Sequence, residues 1–132
     1  MKFVDTSFWV ALQLARDDRH ELARRLWAAR DGGGLVTSNH VLGETWTYLR
    51  RRADHPTAVA FIVAARQSPS LAILHVDRDL EAEAWSWLQR RGERTYSFVD
   101  ATSFALMRQR RLREALAFDG DFSAAGFVEV RP

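Results

Sequence analysis

The chain predicts an α/β fold in which a central, mostly parallel sheet lies between two layers of helices, a three-layer α/β/α sandwich. Short apolar runs bounded by turn residues recur at residues 2–5, 35–37, 71–74, 115–118 and near 127–130. Stretches with helical spacing of apolar residues separate all but the last two of these runs. Strands joined by helical crossovers pair in parallel and need cover on both faces. At 132 residues and 47% hydrophobic content, the sequence suits one domain spanning 1–132 with a sizeable core.

The elements follow in order. Residues 2–5 form a short buried strand ending in Asp5, and Thr6 and Ser7 supply capping hydroxyls for a helix from Phe8 to about Leu14. A second helix begins at Asp17-Asp18, carries Leu22, Leu26 and Ala29 on one face, and stops at Gly32-Gly33-Gly34. That glycine run lacks the Lys-Ser/Thr or GxGxxG frame of a phosphate loop. Leu35-Val36-Thr37 is the second strand, with Ser38-Asn39 capping a helix that reaches Arg52.

Pro56 opens a fourth helix through Phe61 and Ala65, and Pro69 separates it from the strand Leu71 to Leu74. Asp77 to Arg90 is helical, Arg91 to Tyr96 is a basic loop, and a further helix runs from Ser97 to about Arg111. Ala115 to Phe118 and a segment near Phe127 to Val130 complete the order β-α-α-β-α-α-β-α-α-β-β.

Composition narrows the chemistry. With no cysteine there is no disulfide, thiolate zinc site or Cys nucleophile. His20, His40, His55 and His75 fall on separate segments without zinc-ligand spacing and read as surface or capping residues. The longest apolar stretches, such as Thr57 to Ala65, are shorter than the roughly 20 residues of a membrane helix. The expectation is a soluble, cytoplasmic and unprocessed protein with no membrane association.

The net charge is only +2, but the arginines bunch at 50–52, at 90, 91 and 94, and at 108, 110, 111 and 113. Guanidinium groups pair with phosphates by two hydrogen bonds, so these clusters suit a nucleic-acid backbone. They equally suit solvated helix ends. Of the five tryptophans, Trp85 and Trp87 lie two positions apart on one helix and cannot share a face, so at least one is expected at a surface.

Four carboxylates carry the strongest chemical signal. Asp5 and Asp119 each end an apolar strand, which in a parallel sheet brings both to the carboxyl edge where ligands bind. Asp100 stands three residues after Ser97, the S-x-x-D form of a capping box, and Glu44 lies inside an amphipathic helix. Singly, a first-turn Asp complements a helix dipole and a strand-end Asp caps a turn. Gathered around one pocket, ionised carboxylates repel and raise one another's pKa unless a cation neutralises them. Hard oxygen ligands suit Mg²⁺ or Mn²⁺, which can activate water and offset charge on a phosphodiester. Hydrolysis of nucleic acid by such a site needs no cysteine, histidine or lysine.

The pattern Val4-Asp5-Thr6-Ser7, Thr37-Ser38 with Val41-Leu42 leading to Glu44, Ser97-Phe98-Val99-Asp100-Ala101, and Ala117-Phe118-Asp119-Gly120-Asp121-Phe122 with Gly126-Phe127 beyond resembles the PIN (PilT N-terminus) domain over nearly the whole chain. It is most similar to the VapC-type toxins of bacterial toxin–antitoxin pairs. The resemblance implies a ribonuclease dependent on one or two Mg²⁺ or Mn²⁺ ions, with Asp5, Glu44, Asp100 and Asp119 as its catalytic and metal-binding acids and Thr6 as a supporting hydroxyl. Asp121, two residues past the fourth acid, is an accessory ligand, a support for another ligand or a turn aspartate. Ala117 departs from the threonine that the family often shows two residues before the fourth acid, without removing an expected ligand.

By the same resemblance, the partners are an RNA substrate, a VapB-like antitoxin whose tail covers the site, and a second copy of the chain in a homodimer or higher oligomer. Phe8, Trp9 and Trp46 are candidates to line the antitoxin groove, and Arg91, Arg94 and Tyr96 to contact RNA by phosphate pairing and stacking. Two other readings stay open: a PIN nuclease of RNA maturation or turnover without an antitoxin, and an inactive PIN-like binding module. A haloacid-dehalogenase phosphatase wants D-x-D and a later lysine, but position 7 is Ser7 and no lysine follows Lys2. The same absence disfavours a response-regulator receiver.

Overall fold

The computed structural model describes all 132 residues. Five strands, β1 (Lys2–Val4), β2 (Leu35–Ser38), β3 (Leu71–Leu74), β4 (Glu114–Leu116) and β5 (Val128–Glu129), form one sheet in the order β3-β2-β1-β4-β5. Every neighbouring pair is parallel. The helices are α1 (Thr6–Gln13), α2 (His20–Ala28), α3 (Asn39–Arg52), α4 (His55–Gln67), α5 (Arg78–Gln89), α6 (Phe98–Arg110) and α7 (Asp121–Ala124).

Sequence order runs outward in one direction from β1 to β3 and in the other from β4 to β5. Right-handed crossovers therefore set α1–α4 on one face of the sheet and α5–α7 on the opposite face, which gives the expected three layers. The strand order reverses between β1 and β4, and the carboxyl ends of those two strands flank the crevice where open α/β sheets bind ligands.

Short strands suffice because both faces are covered. Phe3 and Val4 on β1 and Val36 on β2 are buried. On one face Trp9 of α1 meets Phe61 of α4 and Trp27 of α2, with ring centroids 5.5 and 5.8 Å apart. On the other, Phe104 of α6 meets Trp87 at 5.2 Å, Phe122 at 4.9 Å and Phe127 at 5.6 Å. Burying each such ring contributes about 1.5–3 kcal/mol relative to leaving it in water. No helix is long and apolar enough to cross a membrane.

Several boundaries differ from expectation. The cap of α1 is Asp5, whose carboxylate accepts the Ser7 backbone N–H; Thr6 and Ser7 already lie in the helix. The second helix starts at His20, three residues later than the Asp17-Asp18 pair suggested, because Asp17 closes a turn by accepting the Arg19 N–H. The fourth strand ends at Leu116, so Ala117 and Phe118 belong to the connection beyond it. The last two strands are also joined by the four-residue α7, which the sequence concealed, and they pair in parallel. A parallel neighbour cannot be reached by a tight hairpin, so the chain needs that crossover.

Candidate functional site

Each acid is delivered by a different local device. Asp5 leaves the end of β1, where its backbone N–H donates to the Leu116 carbonyl of β4 at 3.0 Å. Its side chain is 4% exposed, and only Oδ2 is engaged, accepting the Ser7 N–H at 3.1 Å and the Ser7 hydroxyl at 2.7 Å. The Ser7 oxygen in turn accepts the Phe118 N–H at 3.1 Å. Ser7 thus fastens Asp5 to the chain segment that carries Asp119, a coupling across |i−j| = 111 that no local pattern announces.

Asp100 sits in the first turn of α6 and completes a full capping box, as its spacing required. The Asp100 N–H donates to the Ser97 hydroxyl at 2.9 Å, and Asp100 Oδ2 accepts the Ser97 N–H at 3.0 Å. Glu44 is exposed on α3, which packs against α6 as well as α1. Asp119 follows β4, and Asp121 opens α7 after Gly120, whose φ of +80° is a left-handed turn that glycine adopts without strain.

Together Asp5, Thr6, Glu44, Asp100, Asp119 and Asp121 line one open cavity of about 650 Å³ at the switch point of the sheet. Asp17, Asp18 and Arg19 extend its wall; sequence reading assigned those aspartates only to a helix start. The acids share this space without three of them converging on a single ligating point.

Their electrostatics follow from crowding and burial. The Asp5 carboxyl is pushed up to about 7, first by burial and then by the negative charges of Asp100 and Glu44, against the pull of the Ser7 hydrogen bonds. Burial likewise raises Asp100 to about 6, reinforced by Asp121 and Glu44 and opposed by the Ser97 N–H. Asp119 is raised by desolvation and by Asp121, while the Arg19 guanidinium draws it down.

Two arginines converge on the Asp119–Asp121 turn. Arg94 Nε donates to Asp121 Oδ1 at 2.7 Å, and its Nη2 donates to the Asp119 carbonyl at 3.0 Å. Arg19 Nη1 donates to the Phe118 carbonyl at 2.6 Å and lies 3.8 Å from Asp119 Oδ1. From below, Glu129 of β5 accepts the Gly120 and Ser123 N–H groups and is held by Arg131 at 3.0 Å.

Other expected contact residues fall in different surroundings. Arg94 faces the acids, Arg91 is exposed and lies over the Trp87 ring at 5.4 Å, and Tyr96 packs edge-on against Trp87 at 4.8 Å and Phe104 at 5.7 Å. Phe8 and Trp9 are core residues, 0% and 4% exposed, so they do not line a groove; Trp46 is half-buried against His55. Trp85 is 53% exposed and stacks on Phe98 at 4.2 Å, whereas Trp87 is buried.

Among known proteins, the chain is 61% identical over its full length to proteins from two strains of Mycobacterium tuberculosis named 23S rRNA-specific endonuclease VapC20, covering 99% of those proteins. It superposes on the crystal structure of M. tuberculosis VapC20, described as a sarcin–ricin loop cleaving toxin, with a TM-score of 0.96 at 60% identity and complete coverage of both chains. Superposition on the structure of FitAcB from Neisseria gonorrhoeae gives a TM-score of 0.71 at 16% identity, covering 100% of this chain and 97% of the other, a likeness of fold alone. The model of the PIN domain matches residues 2–128, and the chain belongs to the PIN domain family.

Proposed function

We propose that this protein is a divalent-metal-dependent endoribonuclease, the VapC-type toxin of a toxin–antitoxin pair, cutting 23S rRNA at the sarcin–ricin loop. Acids from separate elements lining one cavity at the switch point of the sheet carry the chemical part of this reading. The relatives named as 23S rRNA-specific endonucleases support the substrate.

The donor set fits a hard cation such as Mg²⁺ or Mn²⁺: the groups are oxygen ligands, with neither thiolate nor imidazole among the cavity acids. In both Asp5 and Asp100 the protein engages Oδ2 and leaves Oδ1 without a protein donor. The buried Thr6 hydroxyl beside them also has no hydrogen-bond partner. Asp5, Asp100 and Asp119, which do not meet at one ligating point here, would draw together to hold the ion, with Glu44 as a further ligand or as the group that orients the attacking water. Such an ion, when bound, activates water and neutralises charge on the phosphodiester.

The protein's own residues supply the rest. Ser7 and Ser97 hold the Asp5 and Asp100 carboxylates through one oxygen each and leave the other oxygen free for a ligand. Arg19 and Arg94 hold the Asp119–Asp121 turn against the cavity. The direct test is cleavage of 23S rRNA with Mg²⁺ or Mn²⁺ and with EDTA. Loss on chelation and recovery on adding metal are expected; cleavage indifferent to EDTA overturns the mechanism. The toxin assignment predicts growth arrest on expression, relieved by Asp5→Ala or by co-expression of an antitoxin encoded beside it.

A further inference from the structure

Arg51 and Arg52 end α3 on a surface continuous with the acidic cavity. They make no ion pair, whereas Arg19 and Arg94 are drawn onto Asp119 and Asp121, Arg108 onto Glu83 and Arg131 onto Glu129. Together with His40, Thr47 and Val99 they line a groove of about 520 Å³. Glu44 and Tyr48 belong to the walls of both this groove and the acidic cavity, so the two form one trough.

Helix geometry explains the continuity. Glu44, Tyr48, Arg51 and Arg52 stand at i, i+4, i+7 and i+8 of α3, which is one helical face, and the stripe from Glu44 to Arg51 covers about 10 Å along the axis. At its middle the Arg52 guanidinium lies 4.9 Å from the centre of the Tyr48 ring. The dipole at a helix C-terminus accounts for arginines in the last turn. It does not account for their leading into the acids through an aromatic ring.

A polyanionic substrate must approach a cavity rich in carboxylates, and Arg19 on its wall already lies 3.8 Å from Asp119. The nearest uncommitted positive charges along the trough are Arg51 and Arg52. We propose that this face of α3 is the track for the RNA strand on one side of the cut phosphodiester, with Arg51 and Arg52 pairing phosphates and Tyr48 stacking on a base. The proposal rests on the nuclease reading above and adds the path of the strand to it.

The test reads binding apart from cleavage. In protein carrying Asp100→Asn, affinity for a synthetic RNA hairpin with the sarcin–ricin loop sequence is measured by fluorescence anisotropy over a range of salt. Adding Arg51→Ala and Arg52→Ala is expected to lower the slope of log affinity against log salt by about 1.5, the release expected from two phosphate contacts. Arg51→Lys with Arg52→Lys keeps the slope, and the charge-matched control Arg66→Ala with Arg25→Ala leaves it unchanged. With Asp100 intact, the alanine pair raises KM more than it lowers kcat.

Both arginines are exposed, so thermal melts of the variants should match the parent. An unchanged salt slope overturns the track. So does retained RNA binding with lost binding of the co-expressed antitoxin, which would assign the groove to a protein partner. If the parent cuts no RNA under any metal while the slope still falls, the nuclease reading fails and takes the cut-site track with it, leaving this face an RNA-binding surface alone.

Discussion

The two sides of the acidic cavity are neutralised by different means. On the β1 and α6 side, Asp5 and Asp100 are held by serine hydroxyls and backbone N–H groups, with no guanidinium in contact, and their carboxyls are pushed up to about 7 and 6. On the β4 and α7 side, Asp119 and Asp121 have Arg19 and Arg94 beside them, the latter at 2.7 Å. One side has no positive charge of the chain's own in contact; the other has two guanidinium groups. The acids of the cavity therefore do not have equal claims as cation ligands, and Asp121 is best placed to set the turn that presents Asp119.

The sharpest way to break that division is to remove one charge from each side. Asp100→Asn is expected to lower kcat/KM for RNA cleavage by ~10²–10³-fold, the size of losing a preorganised charge-stabilising group. Asp121→Asn should cost about tenfold or less, acting through the turn. Equal losses in the same kinetic assay would abolish the distinction.

Stability against pH separates the sides next. Asp5 has a folded pKa near 7 against an ordinary 3.8, so between those values the native state binds a proton that the unfolded state has lost. Its contribution to stability is complete below pH 4 and fades as pH rises through 7. At 4% exposure, that shift corresponds to a few kcal/mol at most. Metal-free protein should therefore melt lower at pH 8 than at pH 5, and Asp5→Asn should flatten the profile and gain on the order of 2 kcal/mol at pH 8. Asp121→Asn should change the profile less, by removing one of the charges that raise Asp100 and Asp119. A parent whose melting temperature does not fall from pH 5 to pH 8 in EDTA would contradict the raised carboxyl.

The same division marks what could be read from the sequence. Asp5 and Asp100 were legible because their devices are local: a strand end followed by a helix, and a serine three residues upstream. Asp119 was legible as a strand end, although β4 stops at Leu116 and the acid stands in the turn beyond. The arginine side was not legible, since Arg19 reaches the Phe118 carbonyl across |i−j| = 99 and Arg94 reaches Asp121 across 27. Such pairings depend on the sheet order, which places β4 beside β1. Four-residue α7 escaped because one turn holds too few apolar positions to display a period. Tyr96 looked like a loop residue free to stack on a base, yet its ring serves the Trp87 and Phe104 cluster.

Glu129 tests how the turn is supported. Its side chain is 3% exposed and accepts two backbone N–H groups as well as the Arg131 guanidinium. Glu129→Ala strands those donors and should cost about 1–3 kcal/mol in urea unfolding. Glu129→Gln, which keeps one acceptor oxygen, should recover part of that loss. Variants as stable as the parent would show that the turn stands without β5.

Arg94 gives the finest discrimination, because it should move cation affinity in the direction opposite to any acid substitution. Its guanidinium occupies Asp121 Oδ1 and adds positive charge beside the Asp119 turn. Removing it leaves Asp121 unpaired and makes the cavity more negative, so Arg94→Ala should bind Mn²⁺ more tightly, by about two- to fivefold, the range of an exposed charge pair. Activity should nevertheless fall, because the turn loses the hydrogen bond to the Asp119 carbonyl. Calorimetric Mn²⁺ titration and kcat/KM measured on the same preparation would separate the two effects. Tighter metal binding with lower turnover is expected only if the arginines compete with the cation for the acids while positioning Asp119. Weaker binding would instead mean that Arg94 organises the metal ligands themselves, and the two sides of the cavity would then act as one.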